Sequence, residues 1–191
     1  RLLYWWSQVE ALENEGVVYA RLAQNLFDGV GYVGIFGGRD VMFPPMFPIL
    51  IGVTSLATGD TELAGRLISL ACGVGLVAAL YGIARCIFDV RTAVVTATLA
   101  AVHPLLVALS VTAYSEGTWL LLVVGATYAV LRSRATGRVR WLVVAGAATG
   151  MAYLVRPEAI LFVGYLALAV LAGRWLDARR AAPALAASIV F

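Results

Sequence analysis

The chain is expected to fold as an all-α bundle that crosses a membrane several times. Three observations carry this expectation. Hydrophobic residues make up 62% of its 191 residues and charged residues only 13%. The mean hydropathy is +0.90, and apolar runs of near-membrane length alternate with short loops. A soluble domain has too little interior to hide that much apolar surface.

The first elements lie outside the bilayer. Arg1 to Val9 is too short to span and reads as the last turns of a helix, with Tyr4, Trp5 and Trp6 at the interface. Asn14 is placed to cap a helix, with Glu15 as a favourable first-turn anion. Val18, Tyr19, Leu22, Ala23 and Leu26 recur at helical spacing, and Arg21, Gln24, Asn25 and Asp28 fall largely on the other side. That pattern predicts an amphipathic helix on the membrane surface, ended by Gly29. Residues 29–38 hold five glycines and read as a flexible loop. Phe43-Pro44-Pro45-Met46-Phe47-Pro48 is a rigid apolar re-entry point, and Ile49 to Ala57 a short interfacial or buried helix.

Spanning segments follow. Leu63 to Ala84 is long enough to cross, and Thr92 to Val111 crosses back. Gly117 to Leu131, Trp141 to Val155 and Ala159 to Gly173 come next, and a sixth run opens near Ala184. Gly146 and Gly150 form a GxxxG pair that predicts close helix packing. The domain reading is one partial transmembrane domain over 1–191, with 10–62 external and 63–191 in the membrane. A start at Arg1 and a stop inside an apolar run are expected of a piece of a longer protein.

Charge sets the orientation. All fourteen basic residues are Arg, spread over separate loops, and the net charge is only +3. Nucleic acid is a poor partner for such a surface; the bilayer is the expected one. Arg85 and Arg91, then Arg132, Arg134, Arg138 and Arg140, then Arg174, Arg179 and Arg180 occupy alternate loops. The positive-inside rule makes those loops cytoplasmic. Asp89 and Asp177 then lie inside and the other nine acids outside. Glu15, Glu116, Arg156 and Glu158 thus converge on one outer face.

Charges near a bilayer are costly, so each needs a reason. Glu15 offsets a helix dipole, Glu116 is placed to cap the helix after Tyr114-Ser115, and Arg156 and Glu158 can pair. Arg66, one turn into a span, can snorkel or hold an anionic headgroup with its planar donor fork. His103 before Pro104 reads as a helix-kink residue, not a metal ligand. Together, arginines that stabilise a leaving phosphate and a carboxylate that takes a proton suit a reaction on a lipid phosphate. A membrane transporter of a lipid-linked or small solute would also cluster charges between helices. A scaffold that keeps the fold without the chemistry is the third reading.

The ordered residues Glu15, Tyr19, Leu22-Ala23, Leu26, Pro44-Pro45, Pro48 and Ala64-Gly65-Arg66-Leu67-Ile68-Ser69 begin a longer pattern. It continues through Tyr81, Ala84-Arg85, Phe88, His103-Pro104, Tyr114-Ser115-Glu116 and Tyr153-Leu154-Val155-Arg156-Pro157-Glu158. This pattern resembles the GT-C-fold membrane glycosyltransferases, nearest to the protein O-mannosyltransferases (family 39) and the aminoarabinose-transferase-like proteins. The resemblance implies transfer of a sugar from a polyprenyl-phosphate donor to a lipid or protein acceptor. It places the reaction on the periplasmic or extracellular face of the plasma (inner) membrane. It implies Glu15 as catalytic base and Glu116 as the second acidic position. Arg66 and Arg156 match positions suited to the carrier phosphate, and Tyr19 and Glu158 lie in the same motifs. Many relatives carry two adjacent acids at the first site; here Gly16 follows Glu15, and Glu13 is the nearest second acid. No cofactor and no essential metal are expected, although some relatives use a divalent ion.

Overall fold

The computed structural model describes residues 15–173. Among these residues the regular elements are helices, with one isolated bridge between Val33 and Arg39. The helices are α1 (Glu15–Phe27), α2 (Met46–Thr58), α3 (Thr61–Ile87), α4 (Val90–Val102), α5 (Pro104–Ala108), α6 (Ser115–Thr136) and α7 (Arg140–Val155). The last is α8 (Pro157–Gly173), which opens with the 3-10 turn Pro157–Ala159. Arg1 to Val9, Glu13, the Asn14 cap, Arg174, Asp177, Arg179, Arg180 and the run from Ala184 lie outside the described residues.

α1 forms where the period placed it. Tyr19, Leu22 and Ala23 face inward, while Arg21 and Gln24 stay exposed and share a 3.2 Å hydrogen bond. Two expectations change. The inner face of α1 is covered by protein: Tyr19 and Ala23 form one buried cluster with Phe47, Ile51 and Ala64 of α2 and α3. Asn25, expected on the polar face, is buried, and its Nδ2 donates to Val33 O at 2.7 Å. The glycine-rich loop is a defined turn. Asp40 N donates to Tyr32 O at 2.9 Å, and Asp40 Oδ1 accepts from Met42 N and Phe43 N at 2.9 and 3.0 Å.

The α2–α3 corner is built from local signals. Gly59 ends α2 with a left-handed φ of 72°, and its N–H reaches Ser55 O at 2.8 Å. Asp60 then caps α3, accepting from Glu62 N at 2.7 Å. α3 has 27 residues and, among the described helices, is the one both long and apolar enough to cross a membrane. Much of the apolar surface faces outward, as lipid contact requires: Leu99, Val102, Val143, Leu161 and Leu168 are all exposed.

The crossing expected over Thr92 to Val111 is divided. α4 stops at Val102, His103 is extended (φ −62°, ψ 122°), and α5 restarts at Pro104. Proline excludes the helical conformation from the residue before it and brings no N–H to bond back. The chain still returns to its starting end, because α3 and α6 run parallel in constant register. Cys72 meets Thr118 at 3.4 Å. A Cβ on Gly75 would lie 3.1 Å from Leu121, and one on Gly82 would lie 2.7 Å from the Tyr128 ring. Each of these pairs is 46 residues apart.

α7 packs back against α6, with Ala152 beside Val123 and Ala145 beside Ala126 and Val130. α8 runs parallel to α6. The Phe162 ring sits 5.5 Å from that of Trp119 near their starts, and Gly173 lies against the Arg134 guanidinium near their ends. The turns carrying Arg85 with Arg91, and Arg132 to Arg140, therefore share one end of the bundle. Ser115, Glu116, Arg156 and Glu158 share the other.

The expected close packing at GxxxG does not occur among the described residues: a Cβ on Gly146 or Gly150 would meet nothing within 4 Å. One tight approach between backbone-fixed atoms is at Gly65, where a Cβ would lie 2.8 Å from the Ala113 Cβ. Both atoms are fixed to backbone, so relief needs a backbone shift. Gly65→Ala is expected to cost about 1–3 kcal/mol and to lower the thermal midpoint in detergent, while Gly146→Ala leaves it in place. Equal effects of the two substitutions would contradict this packing.

Candidate active site

The site is assembled from three segments that are distant in sequence. α1 brings Glu15 and, one turn on, Tyr19. The start of α6 brings Ser115 and Glu116. The α7–α8 junction brings Arg156 and Glu158.

Tyr19 is the hinge of the assembly. Its ring is wedged edge-on between Phe43 and Phe47, each centroid 5.1 Å away, and only 3% of the residue is exposed. Its hydroxyl donates to the buried Ser115 Oγ at 3.0 Å, a contact between residues 96 apart. Burial raises the Tyr19 pKa above the ordinary tyrosine range. The bond to Ser115 opposes that rise, Glu15 and Glu116 add to it, and Arg156 works against it. The phenol is thus a neutral donor at any physiological pH, and Glu15, Glu116 and Arg156 all act on it electrostatically.

Arg156 is held extended (φ −148°, ψ 123°) because Pro157 follows it. That conformation turns the guanidinium toward α6, where NH1 lies 2.5 Å from Glu116 Oε1. Nε lies 3.8 Å from Glu158 Oε2, so the nearer partner is Glu116. Burial lowers the Arg156 pKa, but the Glu116 and Glu158 carboxylates outweigh it and hold the group above its ordinary value. Glu116 therefore does not cap α6. The cap position is Tyr114, with no side-chain capping bond, and the Glu116 side chain is turned to Arg156.

The pair retains open valences. Among the described residues Glu116 Oε2 is buried with no hydrogen-bond partner, and NH1 of Arg156 meets Glu116 at ion-pair distance without hydrogen-bond alignment. Buried polar atoms left in that state are costly, which suits a site completed by a ligand. Glu15, half-buried at the first turn of α1, has no hydrogen bond or ion pair among the described residues. A carboxylate with no fixed partner has its lone pairs available for an incoming proton.

Arg66 lies at the same end, in the second turn of α3, and its NH2 binds Glu62 Oε1 at 2.6 Å. His103 is exposed at the α4–α5 break. No group of three His, Cys, Asp or Glu side chains able to hold a metal occurs among the described residues. Sequence reasoning did not single out Ser115 as a site residue. Its only local signal is a small hydroxyl at the start of a helix, beside an acid.

A family model described as dolichyl-phosphate-mannose-protein mannosyltransferase matches residues 43–191. The matched stretch includes Arg66, Ser115, Glu116, Arg156 and Glu158, whereas Glu15 and Tyr19 precede it. No curated protein and no solved structure matches the chain. The match takes in every helix from α2 onward and agrees with the all-helical, lipid-facing architecture, so the chain belongs to the dolichyl-phosphate-mannose-protein mannosyltransferase family, membrane glycosyltransferases of the GT-C fold.

Proposed function

We propose that this chain carries the catalytic face of a transferase that moves a sugar from a polyprenyl-phosphate carrier to a lipid or protein acceptor. The reaction takes place on the outer side of the plasma (inner) membrane. The observation that carries this reading is the meeting of Glu15, Tyr19–Ser115 and the Arg156–Glu116 pair at the acidic end of the bundle.

The reaction is a direct displacement at the anomeric carbon. The acceptor oxygen forms its bond to that carbon while Glu15 takes the acceptor proton. The bond from the carbon to the phosphate oxygen breaks, and the electron pair leaves with the phosphate. Arg156 faces the departing anion, held by Glu116 and tethered more loosely by Glu158. Fixed donors aimed at developing charge lower the barrier because they need not reorganise. Lipid phosphate is a good leaving group, so no general acid is required, and no step uses a metal. Arg66 is a second phosphate contact at the same end, steadied by Glu62. Glu13 is a second acid near Glu15.

Full-length protein supplied with radiolabelled polyprenyl-phosphate sugars, a membrane-lipid acceptor and a peptide acceptor tests the reading directly. Glu15→Gln is expected to lower transfer by about 10²–10⁴-fold without moving the thermal midpoint. Undiminished transfer by that variant removes Glu15 from the mechanism. Arg156→Lys keeps the charge and loses the fork, and transfer is expected to fall by about 10²-fold; wild-type rates would rule out phosphate recognition by that side chain. Orientation is checked at Cys86, an exposed thiol at the basic end. With other cysteines replaced, a membrane-impermeant maleimide should label Cys86 in inverted vesicles and not in intact cells. The opposite pattern would reverse the assigned topology.

A further inference from the structure

At the end of the bundle opposite the carboxylates, a cleft of about 550 Å³ is lined by residues of α3 and α6. Arg85 and Arg132 face it beside Tyr81, Tyr128 and the small residues Ala78 and Gly82. We propose that this cleft binds the phosphate of an anionic membrane lipid, at a site separate from the sugar-transfer face.

The first argument is uncompensated charge. Neither Arg85 nor Arg132 makes an ion pair among the described residues. Asp89 is the only described carboxylate at this end, and it is committed elsewhere. Its Oδ1 accepts from Thr92 Oγ1 at 2.5 Å and Thr92 N at 3.0 Å, bonds that hold its pKa below the usual carboxylate range.

The second argument is an unmet donor. Among the described residues Arg132 Nε is buried without a hydrogen-bond partner, while the guanidinium lies 5.7 Å from the Trp141 ring centroid. The ring holds the cation in place but accepts none of its in-plane hydrogen bonds. A phosphate accepts several from a planar fork.

The third argument selects a lipid over a soluble anion. The cleft opens on the outer wall of the bundle, where Ile87 and Phe88 beside Arg85 are exposed. A headgroup between the arginines would leave its acyl chains against that apolar wall. Basic pockets between transmembrane helices on the cytoplasmic side are suited to anionic headgroups.

The inference does not depend on the sugar-transfer reading, and its test needs no sugar donor. Delipidated full-length protein would be titrated with phosphatidylglycerol, phosphatidylcholine or inorganic phosphate and read by native mass spectrometry and thermal midpoint. Phosphatidylglycerol should bind and raise the midpoint, and phosphatidylcholine should do neither. Arg85→Gln with Arg132→Gln should weaken phosphatidylglycerol binding about tenfold. Arg85→Gln alone, at an exposed side chain, carries the test if the Arg132 variant fails to fold, and should show a smaller loss of the same sign. Equal binding of the two lipids, or unchanged binding in the variants, would overturn the site. Inorganic phosphate raising the midpoint as far as phosphatidylglycerol would overturn the choice of a lipid.

Discussion

The hydrogen bond from Tyr19 to Ser115 is the constraint on which the site depends. α1 belongs to a surface segment, and α6 to the bundle. An amphipathic helix held by apolar contact alone can slide or rotate, because burial is not directional. A buried phenol with one available partner cannot do so without stranding its hydroxyl, which costs more than the bond itself contributes. The ring contacts to Phe43 and Phe47 fix the depth of Tyr19, and the hydroxyl fixes its azimuth. Glu15, one turn earlier on α1, is thereby set relative to Glu116 and Arg156.

The Arg156–Glu116 pair has a different character. Partly buried ion pairs return little net stability, because desolvation offsets much of their attraction. The value of this pair is positional. Pro157 forces Arg156 out of the helical conformation, and Glu116 at the first turn of α6 draws the guanidinium across the junction. One backbone restriction and one electrostatic contact thus align two helix ends. The unpartnered Glu116 Oε2 records that the alignment stops short of closure.

Much of this was legible in the sequence, for reasons that are local. The period of Tyr19, Leu22 and Ala23 located α1, and the length and apolarity of Leu63 to Ala84 located α3. The alternation of basic and acidic loops placed Glu15, Glu116 and Arg156 at one end before any helix was seen to pack. What escaped depended on contacts between elements. Asn25 reads as a solvent residue until Val33 O is found beside it. Glu116 reads as a helix cap until Arg156 arrives from another loop. Gly146 and Gly150 carry the familiar packing spacing, yet α3 makes its close approaches at Gly65, against Ala113, and at Gly75 and Gly82, against α6, positions marked by no such motif. Pro104 was visible, but helical hydrophobicity runs past it on both sides, so the break at His103 was read as a kink.

The shared direction of α3, α6 and α8 has an electrostatic consequence of its own. Three parallel helices leave three N-termini at the acidic end and three C-termini toward the basic end. Peptide dipoles add along each helix to roughly half a positive charge at its start and half a negative charge at its finish. In a low-dielectric slab, with little water to screen them, those partial charges reach further than they would at a soluble surface. The antiparallel α7 returns its own C-terminus to the acidic end at Val155 and offsets one of these positive ends. The local effect survives: Glu116 and Glu158 stand in the first turns of α6 and α8, where backbone that no side-chain substitution removes favours a carboxylate.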